Sequence, residues 1–256
     1  MADRIFFIIF HQGIAPTLTG TDKYSDLIRY FGVNKNYQKK YLLTHDGQFE
    51  LLGKRKDIFL EYTLPHHNDS IQEKGFMETS AYIHIYKNKL HLPYKFIGIA
   101  QYDMIWNDKV VQRIKNLNQR TKVLARTKGT IYSKGRWHRL MFAKRYPLDF
   151  VINSYNKFFH TKHTKKDLEG RPLTLWQTYF MHRSVFEILT PWLSILVNEV
   201  YPWANRFPYE THWGFISGLS ERAESIFFAL QKLTISEIDL DHSEDIVNSL
   251  KIKKEH

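Results

Sequence analysis

Six consecutive apolar residues, Ile5-Phe6-Phe7-Ile8-Ile9-Phe10, constrain this chain more than any other feature of its sequence. Every one is β-branched or aromatic, and no polar residue alternates with them. A strand wetted on one face needs that alternation, so a strand without it must be covered on both faces. The run therefore reads as a strand inside a covered sheet, and the alternation of strands with helices along the chain predicts an α/β fold. Open sheets of this kind bind ligands beyond the carboxyl ends of their strands. His11-Gln12-Gly13, directly after the run, falls at such a position.

The rest of the chain alternates further strands with helices. Residues 94–100 form a second apolar run leading into Gln101-Tyr102-Asp103, and residues 57–63, 121–126 and 178–182 read as strands. Helices are expected at 24–31, 77–88, 108–118 and 149–159, and at 183–200 with a kink at Pro191. A last helix at 217–233 carries Leu219, Ala223, Ile226, Phe227 and Leu230 as one apolar stripe. Beyond Ser236 the chain turns acidic and then basic, and is expected to fray. Neither an internal repeat nor a low-complexity linker divides it. One domain over residues 1–236, flanked on both sheet faces by helices and followed by a charged tail over 237–256, is predicted.

Composition narrows the chemistry. With no cysteine among 256 residues, disulfides, thiolate zinc sites and cysteine nucleophiles are excluded. Lys and Arg number 37 against 26 acids, and the net charge of +11 concentrates anions near the surface. Those anions include nucleic acid, acidic headgroups and phosphorylated small molecules. Aromatic residues, 15% of the chain, fill the core and can wall a planar or sugar-like ligand. The sequence contains no Gly-x-x-x-x-Gly-Lys-[Ser/Thr] loop, no Gly-x-Gly-x-x-Gly after the first strand, no Gly-x-Ser-x-Gly and no His-Glu-x-x-His. Those absences argue against P-loop kinases, dinucleotide dehydrogenases, serine hydrolases and common metalloproteases. The run at 5–10 is too short for a signal-peptide core, and Glu187, Pro191, Asn198 and Glu199 interrupt the apolar region at 185–201. A cytoplasmic protein without a transmembrane segment is expected.

Asp103 is the most informative acid, because it emerges from a buried-looking strand at the ligand edge. A carboxylate there can hold a divalent cation against a diphosphate. A helix cap or a loop ion pair accounts for its position equally well. Asp239-Leu240-Asp241 has the spelling of a paired-acid motif, but no strand precedes it in this reading and it is taken as decoration. Glu78 opens a helix, where the dipole favours an acid. Glu221-Arg222 lies on the polar side of the last helix, and an exposed ion pair is its simpler reading. His66-His67 and His160 with His163 sit in polar loops and read as solvated. The stretch holding Arg126, Lys128, Lys134, Arg136, His138, Arg139, Lys144 and Arg145 interleaves Tyr132, Trp137 and Tyr146. It could bind nucleic acid or donor phosphates, or be a solvated basic face. No nucleic-acid module accompanies it.

Taken in order, the segments resemble the glycosyltransferase family found in capsular and exopolysaccharide gene clusters. The matching stretches are Phe10-His11, Ile71-Gln72-Glu73-Lys74-Gly75, and Glu78-Thr79-Ser80-Ala81 running to Lys87-Asn88. Phe96-Ile97-Gly98-Ile99, the long helix with Trp192, and Gly214 through Gly218 to Glu221-Arg222 complete them. The family's His-Tyr-Arg-Arg after the strand is Gln101-Tyr102-Asp103-Met104 here. Similar stand-alone transferases also occur in large DNA viruses. The resemblance implies a GT-A-like fold, with a mostly parallel central sheet, that moves a hexosyl or pentosyl group from a nucleoside-diphosphate sugar to a glycan or glycoprotein hydroxyl. With it go expected donor contacts at His11, Lys74, Glu78, Asp103 and Arg222 and a catalytic base at Glu221 or Glu210, while the departure from the family's arginine pair makes Mn²⁺ or Mg²⁺ at Asp103 the expected neutralising charge. A nucleic-acid-binding protein using residues 126–146, and an inactive transferase fold serving as a binding module, are the alternatives.

Overall fold

Seven strands form one sheet in a computed structural model that describes residues 3–36, 38, 55–72, 76–117, 122–131, 148–204, 215–243 and 245–246. They are β1 (Arg4–Phe10), β2 (Ile28–Gly32), β3 (Ile58–Leu60), β4 (Phe96–Gln101), β5 (Val123–Thr130), β6 (Pro172–His182) and β7 (Ile235–Glu237). Their order is β3-β2-β1-β4-β6-β5-β7. Pairings β1/β2, β1/β4, β2/β3 and β5/β7 are parallel, and β6 runs antiparallel to both its neighbours. The fold is thus single-domain α/β with a mostly parallel mixed sheet, as expected.

Both faces of β1 are covered. Ile5, Phe7 and Ile9 face the side packed by Tyr82, Phe186, Trp192 and Phe227. Those residues come from three helices: α1 (Glu78–Lys87), α4 (Arg183–Ala204) and α5 (Phe215–Leu230). Phe6, Ile8 and Phe10 face the other side, where Trp106 and Val110, Val111 and Ile114 of α2 (Asp108–Lys115) close over them. Helix α3 (Leu148–Phe159) packs against α4 through Tyr155, edge-on to Trp192. Gly98 makes room at the centre: a Cβ there would lie 2.5 Å from the Phe6 ring. That ring stacks on Phe180 at 5.1 Å and meets Trp106 edge-on at 4.7 Å.

The structure corrects the sequence reading at several places. Residues 24–31 are not a helix; a short 3₁₀ turn at Thr21–Lys23 leads to strand β2. Eight residues fit either period, and the parallel ladder that sets Phe6 opposite Ile28 decides for the strand. Strand β6 begins at Pro172, six residues earlier than expected, because Trp176 and Gln177 adopt φ of 64° and 43° and break the alternation. Helix α4 continues through Pro191 to Ala204. The chain does not fray after Ser236: β7 pairs with β5, and Ile238 and Leu240 are buried. Among the described residues no helix is long and apolar enough to cross a membrane.

Candidate functional site

The carboxyl edge of β1 and β4 gathers the side chains that the sequence singled out. His11 follows β1 and is buried, its ring edge-on to Tyr102 at 5.3 Å. Gln101 ends β4, and its side-chain amide donates to Glu78 Oε1 at 3.3 Å. Two residues on, Asp103 is only 6% exposed. Its Oδ2 lies 2.9 Å from His242 Nδ1, while its Oδ1 is buried without a hydrogen-bond partner among the described residues. Burial without a partner is costly for a carboxylate oxygen, so this oxygen calls for a ligand or an ordered water.

Glu78 is the first residue of α1, after Met77 at a φ of 43°. Its carboxyl is raised from the ordinary 4.5 to about 7. Burial is the main cause, and the negative charges of Asp103 and Glu221 add to it, against hydrogen bonds from its own backbone and Gln101. These three acids therefore share one electrostatic environment.

The β6 bulge supplies the opposite wall. Its positive-φ residues turn two donors toward α5: Trp176 N–H donates to Glu221 Oε1 at 2.8 Å, and Gln177 Nε2 donates to Glu224 Oε1 at 2.9 Å. Positive φ at two successive non-glycine residues is strained backbone, a feature that concentrates at functional sites. Burial holds the Glu224 carboxyl well above the usual carboxylate range, with the Gln177 hydrogen bond opposing it. Arg222, by contrast, turns back along its own helix to donate to the Gly218 carbonyl, with Nη1 3.8 Å from Glu221 Oε2.

The structure thus brings His11, Glu78, Asp103 and Glu221 to one region of the sheet edge, with Arg222 beside Glu221. Lys74 and Glu210 lie outside the described residues, as does residues 132–147 of the basic stretch. Arg126, read as a candidate phosphate contact, is instead engaged by Asp239 at 2.9 Å and Asp241 at 2.7 Å. Asp239-Leu240-Asp241 is therefore structural rather than decoration. His67 is also less solvated than expected: it packs against the buried His84 ring at 5.1 Å, and burial lowers its pKa. A surface cavity of about 520 Å³, lined by Pro65, His66, His67, Asn68 and Lys87, is separate from the carboxylates.

Sequence reasoning missed His242, Gln101, Gln177 and Glu224. His242 matters most, because it contributes a second donor beside Asp103. Adjacent ligands of an octahedral cation with bonds of about 2.1 Å lie roughly 3 Å apart. The 2.9 Å between Asp103 Oδ2 and His242 Nδ1 is the distance of a hydrogen bond or ion pair, and two adjacent ligands of one cation could keep it once the Nδ1 proton has left. Among the described residues no cluster of three or more such side chains could hold a metal, so a cation here would complete its shell with phosphate oxygens and water.

No protein-family model matches the sequence, and no curated protein matches it. Among solved structures, the chain superimposes on the apo bifunctional glycosyltransferase WbbM with a TM-score of 0.61 at 12% identity. The match covers 95% of this chain and 46% of that one, so this chain spans less than half of WbbM. The mannosyltransferase Ktr4p from S. cerevisiae gives 0.43 at 13% identity, over 94% of this chain and 70% of that one. Mouse xyloside xylosyltransferase 1 gives 0.38 at 11%, over 95% and 98%. The first of these likenesses defines the class: the chain has the fold of a GT-A-like glycosyltransferase.

Proposed function

We propose that the chain is a glycosyltransferase that moves a hexosyl or pentosyl group from a nucleoside-diphosphate sugar to an acceptor hydroxyl of a glycan or glycoprotein. The observation that carries this reading is the meeting of Asp103 and His242 at the carboxyl edge of β4, within the fold of a glycosyltransferase. Asp103 Oδ1 and Oδ2 and His242 Nδ1 would hold Mn²⁺ or Mg²⁺. Such a cation, when bound, neutralises charge on a diphosphate leaving group.

The chain's own residues divide the remaining work. His11 and Glu78 are proposed to line the donor side and Lys74 to contact its phosphates, and Arg222 would join it only by giving up its hydrogen bond to the Gly218 carbonyl. Glu221 is the proposed base, with Glu210 as the alternative. One Glu221 oxygen accepts from the Trp176 N–H, and the other, 3.8 Å from Arg222 Nη1, is the one proposed to take the acceptor proton. In a direct displacement the acceptor oxygen bonds to the anomeric carbon while the bond to the diphosphate breaks, and the electron pair leaves with the diphosphate. The proton goes to Glu221 as that charge develops. Glu78, near its midpoint at neutral pH, can donate to or accept from a sugar hydroxyl.

The test is a melting-temperature panel of uridine, guanosine and thymidine diphosphate sugars with and without Mn²⁺, followed by product detection with the stabilising donor. A ligand that binds only the folded chain raises the melting temperature. Stabilisation by one donor class supports the reading. No shift with any of them, together with tight salt-sensitive DNA binding, would return the nucleic-acid alternative.

A further inference from the structure

Three carboxylates and one guanidinium surround the segment that delivers His242. Arg126 Nη1 donates to Asp239 Oδ1 at 2.9 Å, and Arg126 Nη2 donates to Asp241 Oδ1 at 2.7 Å. The two acids stand two residues apart, so one planar fork grips both, which a lysine ammonium cannot reproduce geometrically. The same segment is stitched to the loop after β4. Ile105 N–H donates to the Asp241 carbonyl at 3.0 Å, Ser243 N–H donates to the Asp103 carbonyl at 3.0 Å, and Met104 and His242 form an antiparallel bridge. Trp176 stands between the two ends of the arrangement. The Arg126 guanidinium lies 5.8 Å from its ring centre, and the His242 ring meets it edge-on at 4.4 Å.

We propose that Arg126 is a positioning residue for the cation site: by clasping Asp239 and Asp241 it holds His242 against Asp103. This rests on the reading of Asp103 and His242 as cation ligands given above. Asp239 and Asp241 are each 62% exposed, and isolated exposed ion pairs contribute little to stability. Arg126 itself is only 12% exposed, and its fork is shared by both acids and backed by Trp176. The arrangement therefore orients the strap rather than stabilising the fold at large. Groups that orient a metal ligand without touching the metal are worth about 10–100-fold in affinity.

The sign of the effect separates positioning from simple electrostatics. Arg126 is a cation near the site, so on Coulomb grounds alone its removal would tighten Mn²⁺ binding. A clasp predicts the opposite. The experiment is titration of the purified chain with Mn²⁺ alone, followed by electron paramagnetic resonance of the free ion, for wild type, Arg126→Gln, Arg126→Lys and Asp103→Asn. Arg126→Gln is expected to weaken binding about tenfold or more. Arg126→Lys, which keeps the charge, is expected to weaken it as well, and serves on its own should the glutamine variant not fold. Amide hydrogen exchange at Ile105 and Ser243 should quicken in both. Unchanged or tighter Mn²⁺ binding in a folded Arg126 variant overturns the clasp while leaving the cation site intact. Mn²⁺ binding that is absent in wild type, or equal in Asp103→Asn, overturns the cation site itself and the clasp with it.

Discussion

The carboxylate of Asp103 and the imidazole of His242 lie 139 residues apart in the chain and 2.9 Å apart in space. One residue follows a central strand, and the other follows the short edge strand β7. Their meeting requires the β5/β7 pairing, which sets Glu237 opposite Ala125 and turns the next residues back over the sheet edge. A donor pair assembled from two distant segments exists only in the folded chain, so a cation bound there must stabilise the fold.

From this comes the first prediction. Mn²⁺ is expected to raise the melting temperature of the wild-type chain, and the rise should vanish in Asp103→Asn and in His242→Ala. Transfer from the donor should fall at least about tenfold in excess chelator and recover on adding Mn²⁺. Calorimetry with and without chelator is the check. Full transfer in chelator, with an unchanged metal response in Asp103→Asn, would make Asp103 an ordinary loop acid.

A second prediction concerns Glu221. Its Oε1 accepts from Trp176 N–H, an interaction that a glutamine oxygen preserves. Glu221→Gln should therefore melt close to wild type while transfer drops about 10²–10⁴-fold, the range expected for a general base. The same drop in donor hydrolysis would separate chemistry from acceptor binding. Turnover that survives Glu221→Gln would shift the base to Glu210 or to another group.

The strands that bury both faces were legible in the sequence because their burial is written locally, residue by residue, as in Ile5 to Phe10. Asp103 was legible for the same reason: it follows directly from such a strand. Strand β2 was not, since eight residues cannot distinguish the two periods and only pairing with β1 settles them. Glu224 was hidden by a helix that is buried nearly all round, so an acid on its polar-looking side is also buried. His242 was out of reach for a different reason. Its place beside Asp103 depends on the ladder of β7 with β5 and on the contacts of Asp239 and Asp241 with Arg126, neither of which leaves a local pattern. Ile238 and Leu240, alternating with two acids, were the available hint that this segment is not a loose tail.

Packing at the sheet centre gives a third prediction. A Cβ on Gly98 would stand 2.5 Å from three carbons of the Phe6 ring, which is itself sandwiched by Phe180 and Trp106. The ring has nowhere to retreat. Gly98→Ala should destabilise the chain by about 1–3 kcal/mol through overpacking. Urea unfolding monitored by far-ultraviolet dichroism measures this, and an unchanged midpoint would show that the Phe6 layer yields more easily than its contacts indicate.

The last prediction follows from the position of Glu78, which is 7% exposed beside Asp103 and Glu221. Its carboxyl titrates at about 7 in the folded chain against an ordinary 4.5. Between those values the unfolded chain has released a proton that the folded chain retains. The unfolded state therefore binds fewer protons there, and stability falls as pH rises. Below pH 4.5 both states are protonated and the cost is absent; above pH 7 both are ionised and the cost is complete, on the order of 3 kcal/mol. Glu78→Gln keeps an acceptor for the Gln101 amide and carries no charge, so it escapes that cost. The variant should melt with wild type below pH 4.5 and several degrees above it at pH 8, at roughly 2–4 °C per kcal/mol. Its transfer activity should fall at the same time, since the carboxyl is proposed to contact the donor. A stabilised but poorly active variant is the pattern expected of a strained acid retained for function. Should Glu78→Gln instead melt below wild type at pH 8 with turnover intact, Glu78 would be a helix-capping acid stabilised by the dipole and nothing more.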